Sequence, residues 1–222
     1  METTRLKIFT LVILIFFAVS VLFSGCGKSD SPEGALSEMQ LALSERDLKK
    51  LSERVDLDKF FAHIYDDATI ELVKNYEEYR IKYPNDPYFQ HDAEFLKQYN
   101  AEHRDLHLKF LHDVLTAYFA RIPEPDTPEE NPYAYVANEF EKIRLASISK
   151  IKDTSVDKNQ ATMTLEIQGD SSLRGMFIGQ FTFKLGFDKD DAGKWRLTKI
   201  ENLDELTPPL VDKAELVWVT FF

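Results

Sequence analysis

His63, Asp66 and Asp67 are a first group in this 222-residue chain whose types and spacing suit acid–base chemistry. His63 and Asp67 stand four apart, which puts them on one face of a helix, and a pocket carboxylate with a raised pKa beside an imidazole can act as a general base. Adjacent aspartates on a helix point about 100° apart and face water, so the same three residues also read as a solvated helix surface. His103 and His107 form a second pair four apart, as metal ligands often do. A site needs a third ligand, and none converges: Glu102 points about 100° away, and His112 lies roughly half a turn out of phase. Tyr99, His103, Leu106, Phe110 and Val114 make one seam of that helix. His103 is therefore expected at a core edge with a hydrogen bond to its ring, and no metal is expected.

Other chemistries find less support. The single cysteine, Cys26, excludes an internal disulfide framework and every multi-cysteine zinc or iron–sulfur site. Ser147, Ser149, Ser171 and Ser172 lack a G-x-S-x-G context, and the eight glycines form neither a P-loop nor a dinucleotide fingerprint, so no cofactor is expected. Twenty-seven Lys and Arg against 38 Asp and Glu give a net charge of −11, which argues against nucleic acid as a partner.

The elements that must position these residues fall into two regimes. Ser31 suits an N-cap before Pro32, with apolar positions Leu36, Met39, Ala42 and Leu43 behind it. Asp47 can cap a second short helix, and Asp56 a third, whose positions Leu57, Phe60, Phe61, Ile64, Tyr65, Ala68, Leu72, Tyr76 and Tyr79 keep the 3.6-residue period. Tyr83-Pro84-Asn85-Asp86-Pro87 breaks the chain before a fourth helix, Asp92 to Phe119. The ten residues PEPDTPEENP, Pro123 to Pro132, must form an exposed non-helical connection, one that could dock a basic partner. A short helix follows around Tyr133 to Lys142.

From there apolar residues recur every second position. Arg144 to Ile151 and Trp195 to Ile200 read as strands, as does the alternation of Ala161, Met163, Leu165 and Ile167 with polar residues. Phe177, Phe181, Phe183, Leu185 and Phe187 give one strand an almost wholly aromatic face. The tail Ala214 to Phe222, apolar on both faces, suits a further strand. Helices first and strands afterwards is the α+β order: one domain, residues 32 to 222, with helices packed on a four- to five-stranded antiparallel meander. Its phenylalanine face is either packed core or the lining of a cavity for a small apolar ligand, with Phe177, Phe181 and Phe183 as pocket candidates.

The N-terminus carries an address. Arg5 and Lys7 precede an uncharged run from Ile8 to Phe23, then Ser24, Gly25 and Cys26, the order of an export signal. Sixteen residues rise only about 24 Å as a helix, short of a bilayer core of roughly 30 Å. Phe23-Ser24-Gly25-Cys26 resembles the bacterial lipobox, with Phe23 in place of the usual Leu. The resemblance implies removal of residues 1 to 25 as a signal peptide and acylation of Cys26, followed by a polar tether to Ser31. Removing Glu2, Arg5 and Lys7 would leave 25 basic against 37 acidic residues, a mature net charge of −12. An acidic body is repelled by anionic lipid, so attachment to the membrane would come from the acyl chains on Cys26. Gly27 lacks the Asp that often signals inner-membrane retention, which leaves the outer membrane open where there is one.

Two further stretches carry resemblances. Ser31 to Asp58, SPEGALSEMQLALSERDLKKLSERVDLD, is similar to the opening of an uncharacterised family of bacterial secreted and lipid-anchored proteins. Gly193 to Ile200, GKWRLTKI, resembles the closing strand of many nuclear-transport-factor-like and cystatin-like domains, whose cone-shaped α+β fold hosts enzymes, binders and inert modules alike. The expectation is a lipid-anchored protein of the bacterial envelope, outside the cytoplasm, acting as a non-catalytic binding module for a protein partner or small apolar ligand. The alternatives are a small-pocket enzyme using His63, Asp66 or Asp67, and a structural role in envelope assembly.

Overall fold

Four hydrophilic caps start the helices that the sequence places first. The computed structural model describes residues 30 to 221, so the leader and Cys26 lie outside the described residues. Ser31 accepts from the Gly34 amide and opens α1 (Pro32–Glu45); Asp47 and Asp56 cap α2 (Leu48–Ser52) and α3 (Leu57–Lys74) through the amides of Lys50 and Lys59. Asn75 separates α3 from α4 (Tyr76–Lys82), a break that the periodicity through Tyr76 and Tyr79 does not announce. After a 3-10 turn at Pro87–Gln90, Asp92 caps the long α5 (Ala93–Phe119). The acidic proline stretch is non-helical and ends where Asn131 caps α6 (Pro132–Leu145).

The second half is a meander. Strands β1 (Ser147–Asp157), β2 (Gln160–Gly169), β3 (Gln180–Lys189) and β4 (Trp195–Ile200) pair antiparallel in the order β1-β2-β3-β4. Register sets Leu165 opposite Phe183, Met163 opposite Leu185 and Ala161 opposite Phe187, so the inner face is a lattice of cross-strand apolar pairs. The β4 edge is covered at Leu197, whose amide donates to the Arg54 carbonyl at 2.8 Å. One hydrophobic core joins this face to α1, α3, α5 and α6, with α3 packed between β4 and α5. The class is α+β with four strands.

Three segments differ from the sequence reading. Arg144 and Leu145, read as the start of a strand, close α6, where Arg144 is buried and paired to Glu141, and β1 begins only at Ser147. Phe177 is not on a strand: Leu173–Ile178 forms a one-and-a-half-turn helix, α7, capped by Ser172 and ended by Gly179 at φ 71°. A Cβ on Gly169 would lie 1.8 Å from the Gly175 carbonyl oxygen, so only paired glycines let α7 press onto the end of β2. The tail is not a strand either. It belongs to α8 (Leu203–Phe221), which packs along β3 and α3 and runs through Pro208 and Pro209.

Candidate functional site

The histidines and aspartates singled out for chemistry lie on α3 and α5, and two of them, Asp66 and His107, bond across from one helix to the other. The Asp66 carboxylate takes a two-pronged bond from Arg104, Nε to Oδ1 at 2.7 Å and Nη2 to Oδ2 at 2.8 Å. Its neighbour Asp67 turns away and sits 3.5 Å from His63 Nδ1, with the His63 side chain 29% exposed. His63, Asp66 and Asp67 therefore do not converge: one aspartate is committed to an arginine on the facing helix, the other to an imidazole on its own.

His103 lies at a core edge with a hydrogen bond to its ring, as its seam predicts, and His107 lies deeper. His103 is half-buried, its Nδ1 2.8 Å from the Tyr99 carbonyl and its ring stacked on Tyr99 at 4.1 Å. His107 is the fully buried one, with Nδ1 2.8 Å from the Tyr65 hydroxyl. Tyr65 donates to the Asn100 carbonyl at 3.0 Å and Tyr88 to Asn100 Oδ1 at 3.0 Å, and burial pushes both phenols far above their ordinary pKa. The expected seam through Leu106 is thus rotated, since Leu106 stays half-exposed while His107 and Leu111 turn inward. Tyr65, Asn100 and Arg104 were not selected from the sequence; an Arg or Asn in an amphipathic helix gives no signal until its partner helix is placed. Among the described residues, no group of three or more His, Cys, Asp or Glu is arranged to hold a metal ion.

The three phenylalanines occupy three environments. Phe183 has no exposed surface and belongs to the core. Phe181 packs partly against it, and Phe177 lies on α7. Lys213 of α8 joins these last two: its ammonium sits 5.7 Å from the Phe177 ring centre and 5.4 Å from that of Phe181, and donates to the Phe177 carbonyl at 2.7 Å. Burial lowers its pKa.

The outer face of the sheet is polar, and it opens at Gly186 into a groove of 180 Å³ bordered by Asp157, Gln160, Thr162, Lys199 and Glu201. A Cβ on Gly186 would come within 2.7 Å of Lys199 Cγ, so the glycine lets that lysine stem lie across the strand. Thr162 donates to Glu201 at 3.0 Å, and Gln160 and Thr198 both donate to Asp188, at 3.0 and 2.8 Å. This volume falls short of the roughly 300–1,000 Å³ typical of small-molecule pockets.

If Asp66 serves the α3–α5 seam, Asp66→Asn will lower stability by no more than about 1 kcal/mol, because the pair is part-exposed. Urea unfolding checks this. A larger loss would mean a more desolvated pair than the geometry describes.

Compared with known proteins, the chain matches no family model, no curated protein and no solved structure.

Proposed function

We propose that the chain is a lipid-anchored protein of the bacterial envelope, held through acyl chains on Cys26, whose α+β domain binds a partner and does no chemistry of its own. The observation that supports the binding reading is that residues singled out for acid–base or metal chemistry are engaged within the fold: Asp66 by Arg104, His103 by the Tyr99 carbonyl and ring, and His107 beside the Tyr65 hydroxyl. Support for the anchor comes from the sequence around Cys26, and no helix among the described residues is long and apolar enough to cross a membrane. The surface we assign to partner binding is the outer face of the sheet around Gly186. A photo-crosslinking amino acid at Thr164 in growing cells will give a discrete product that Glu201→Lys removes and Asp67→Asn leaves intact. No product, or one indifferent to Glu201, contradicts the assignment.

The anchor has its own test. Cys26→Ser will abolish incorporation of labelled fatty acid and leave the precursor uncut, read by gel mobility and mass. Lipidation of that variant would end the anchor reading.

The 3.5 Å contact of His63 with Asp67 favours one alternative, a small-pocket enzyme with this pair as acid and base. It requires turnover by the purified protein and a pH–rate profile that loses one limb in His63→Ala.

A further inference from the structure

Four large apolar side chains stand out of one corner of the molecule. Leu173 and Met176 of α7 are 84% and 64% exposed, and Leu145 and Ile148, at the junction of α6 and β1, are 61% and 58% exposed. The corner is built rather than frayed. The Asp170 amide donates to the Ala146 carbonyl at 2.8 Å, which ties the root of α7 to the α6–β1 junction. On α7 the buried positions are Gly175 and Ile178, so Leu173 and Met176, three apart, share the opposite, outward face. Soluble surfaces scatter such residues singly; a fixed cluster marks something that covers it.

We propose that this corner is the face with which the anchored domain lies on its bilayer, Leu173 and Met176 entering the boundary between headgroups and acyl chains. The inference rests on the lipid-anchor reading, and the path of the chain toward Cys26 is what selects a bilayer as the occupant. Glu33, in the first turn of α1, lies close enough to the Thr154 side chain to feel it electrostatically, so the chain leaves the fold beside β1, an edge strand of the sheet. The five residues Gly27 to Ser31 that follow Cys26 reach at most about 18 Å, which keeps the β1 edge near the membrane surface. With a rise of about 3.3 Å per residue, Ile148 lies about 20 Å along the same edge from Thr154. Both ends of β1 can therefore rest on one plane, the tether at one end and the apolar corner at the other.

The test uses the mature lipidated chain in vesicles of phosphatidylethanolamine and phosphatidylglycerol. Because acylated Cys26 carries no thiol, a cysteine introduced by Met176→Cys is the sole site for an environment-sensitive dye. A control is Leu48→Cys on α2, at the opposite, β4 edge. The expected result is blue-shifted emission from position 176, quenched by spin-labelled lipid, with aqueous emission from position 48. In the unlabelled native chain, vesicles will slow amide exchange across residues 173 to 178. A chain that floats with vesicles but shows aqueous emission at 176 and unchanged exchange overturns this inference and leaves the anchor standing. A chain that does not float overturns the anchor and this inference with it. A blue shift that grows with protein concentration in the absence of lipid assigns the corner to a second copy of the chain and overturns the bilayer as its occupant.

Discussion

Glu141→Ala should destabilise the domain by about 3 kcal/mol, lowering the thermal midpoint by about 6–12 °C. Glu141 of α6 takes two bonds from Arg144, at 2.7 and 2.8 Å, and one from the Tyr118 hydroxyl at 3.0 Å, with Arg46 at 3.4 Å. Arg144 is only 5% exposed, so removing the carboxylate leaves its guanidinium buried without a counter-charge. That stranded charge makes the loss large, and the 24% exposure of the Glu141 side chain keeps it toward the lower end of the range for buried pairs. The same residues tie three elements together. Arg46, in a left-handed conformation just past α1, lies 3.3 Å over the Tyr118 ring of α5 and donates to its carbonyl at 2.7 Å. Tyr118 is pushed up to about 12, by burial first and the Glu141 charge second. Glu141→Gln, which keeps one acceptor oxygen but loses the charge and the second acceptor, should cost less than Glu141→Ala.

The pH dependence follows from the same site. Burial alone would raise the Glu141 carboxyl, but the bond and charge of Arg144, with Arg46, outweigh it and hold the pKa below 4.5. A carboxyl whose folded pKa lies below its unfolded one adds stability above the unfolded value, and that stability is lost as pH falls through the folded value. Glu139, held low by Lys142 and Arg174 against its burial, behaves alike. The thermal midpoint should therefore fall as pH drops from 4.5, and fall less steeply in Glu141→Gln. Parallel curves for the two proteins would show that the pair carries no linkage.

Phe183→Ala should cost about 3–5 kcal/mol, the range for emptying a fully buried aromatic site. Phe183 has no exposed surface and stands opposite Leu165, itself fully buried, in the middle of the sheet's inner face. Phe181, partly exposed at the end of the same strand, should cost about 1–2 kcal/mol on the same substitution. The contrast separates a packed floor from a ligand cavity. A cavity wall would tolerate Phe183→Ala with little loss of stability, whereas a packed core will show the steep difference between the two positions in urea unfolding.

The sequence made the caps and the inward-facing strand positions legible because each is a local event. Ser31, Asp47 and Asp56 all cap helices, and Ala161, Met163, Leu165 and Ile167 all face the core. The tail misled because β-branched and aromatic residues favour strands, and because Pro208 and Pro209 remove the amides that would bond the Asp204 and Glu205 carbonyls in a helix. Helix α8 persists there because Leu203, Leu206, Leu210 and Val211 are buried in the core, so packing outweighs propensity. Helix α7 left a signal in Ser172 followed by two glycines, 175 and 179, which the run of Phe177 and Ile178 into β3 concealed. At the α3–α5 seam, spacing placed His63 with Asp67 correctly but could not assign Asp66 to Arg104. That pairing spans 38 residues and depends on where α5 lands.

The central claim is that a binding domain is carried on a lipid at Cys26, and intact-mass and N-terminal peptide analysis of the protein extracted from cell membranes tests it most directly. The account predicts a chain that begins at Cys26 and carries the added mass of a thioether-linked diacylglyceryl group. A chain that retains residues 1 to 25, or one with an unmodified Cys26 thiol, would contradict it.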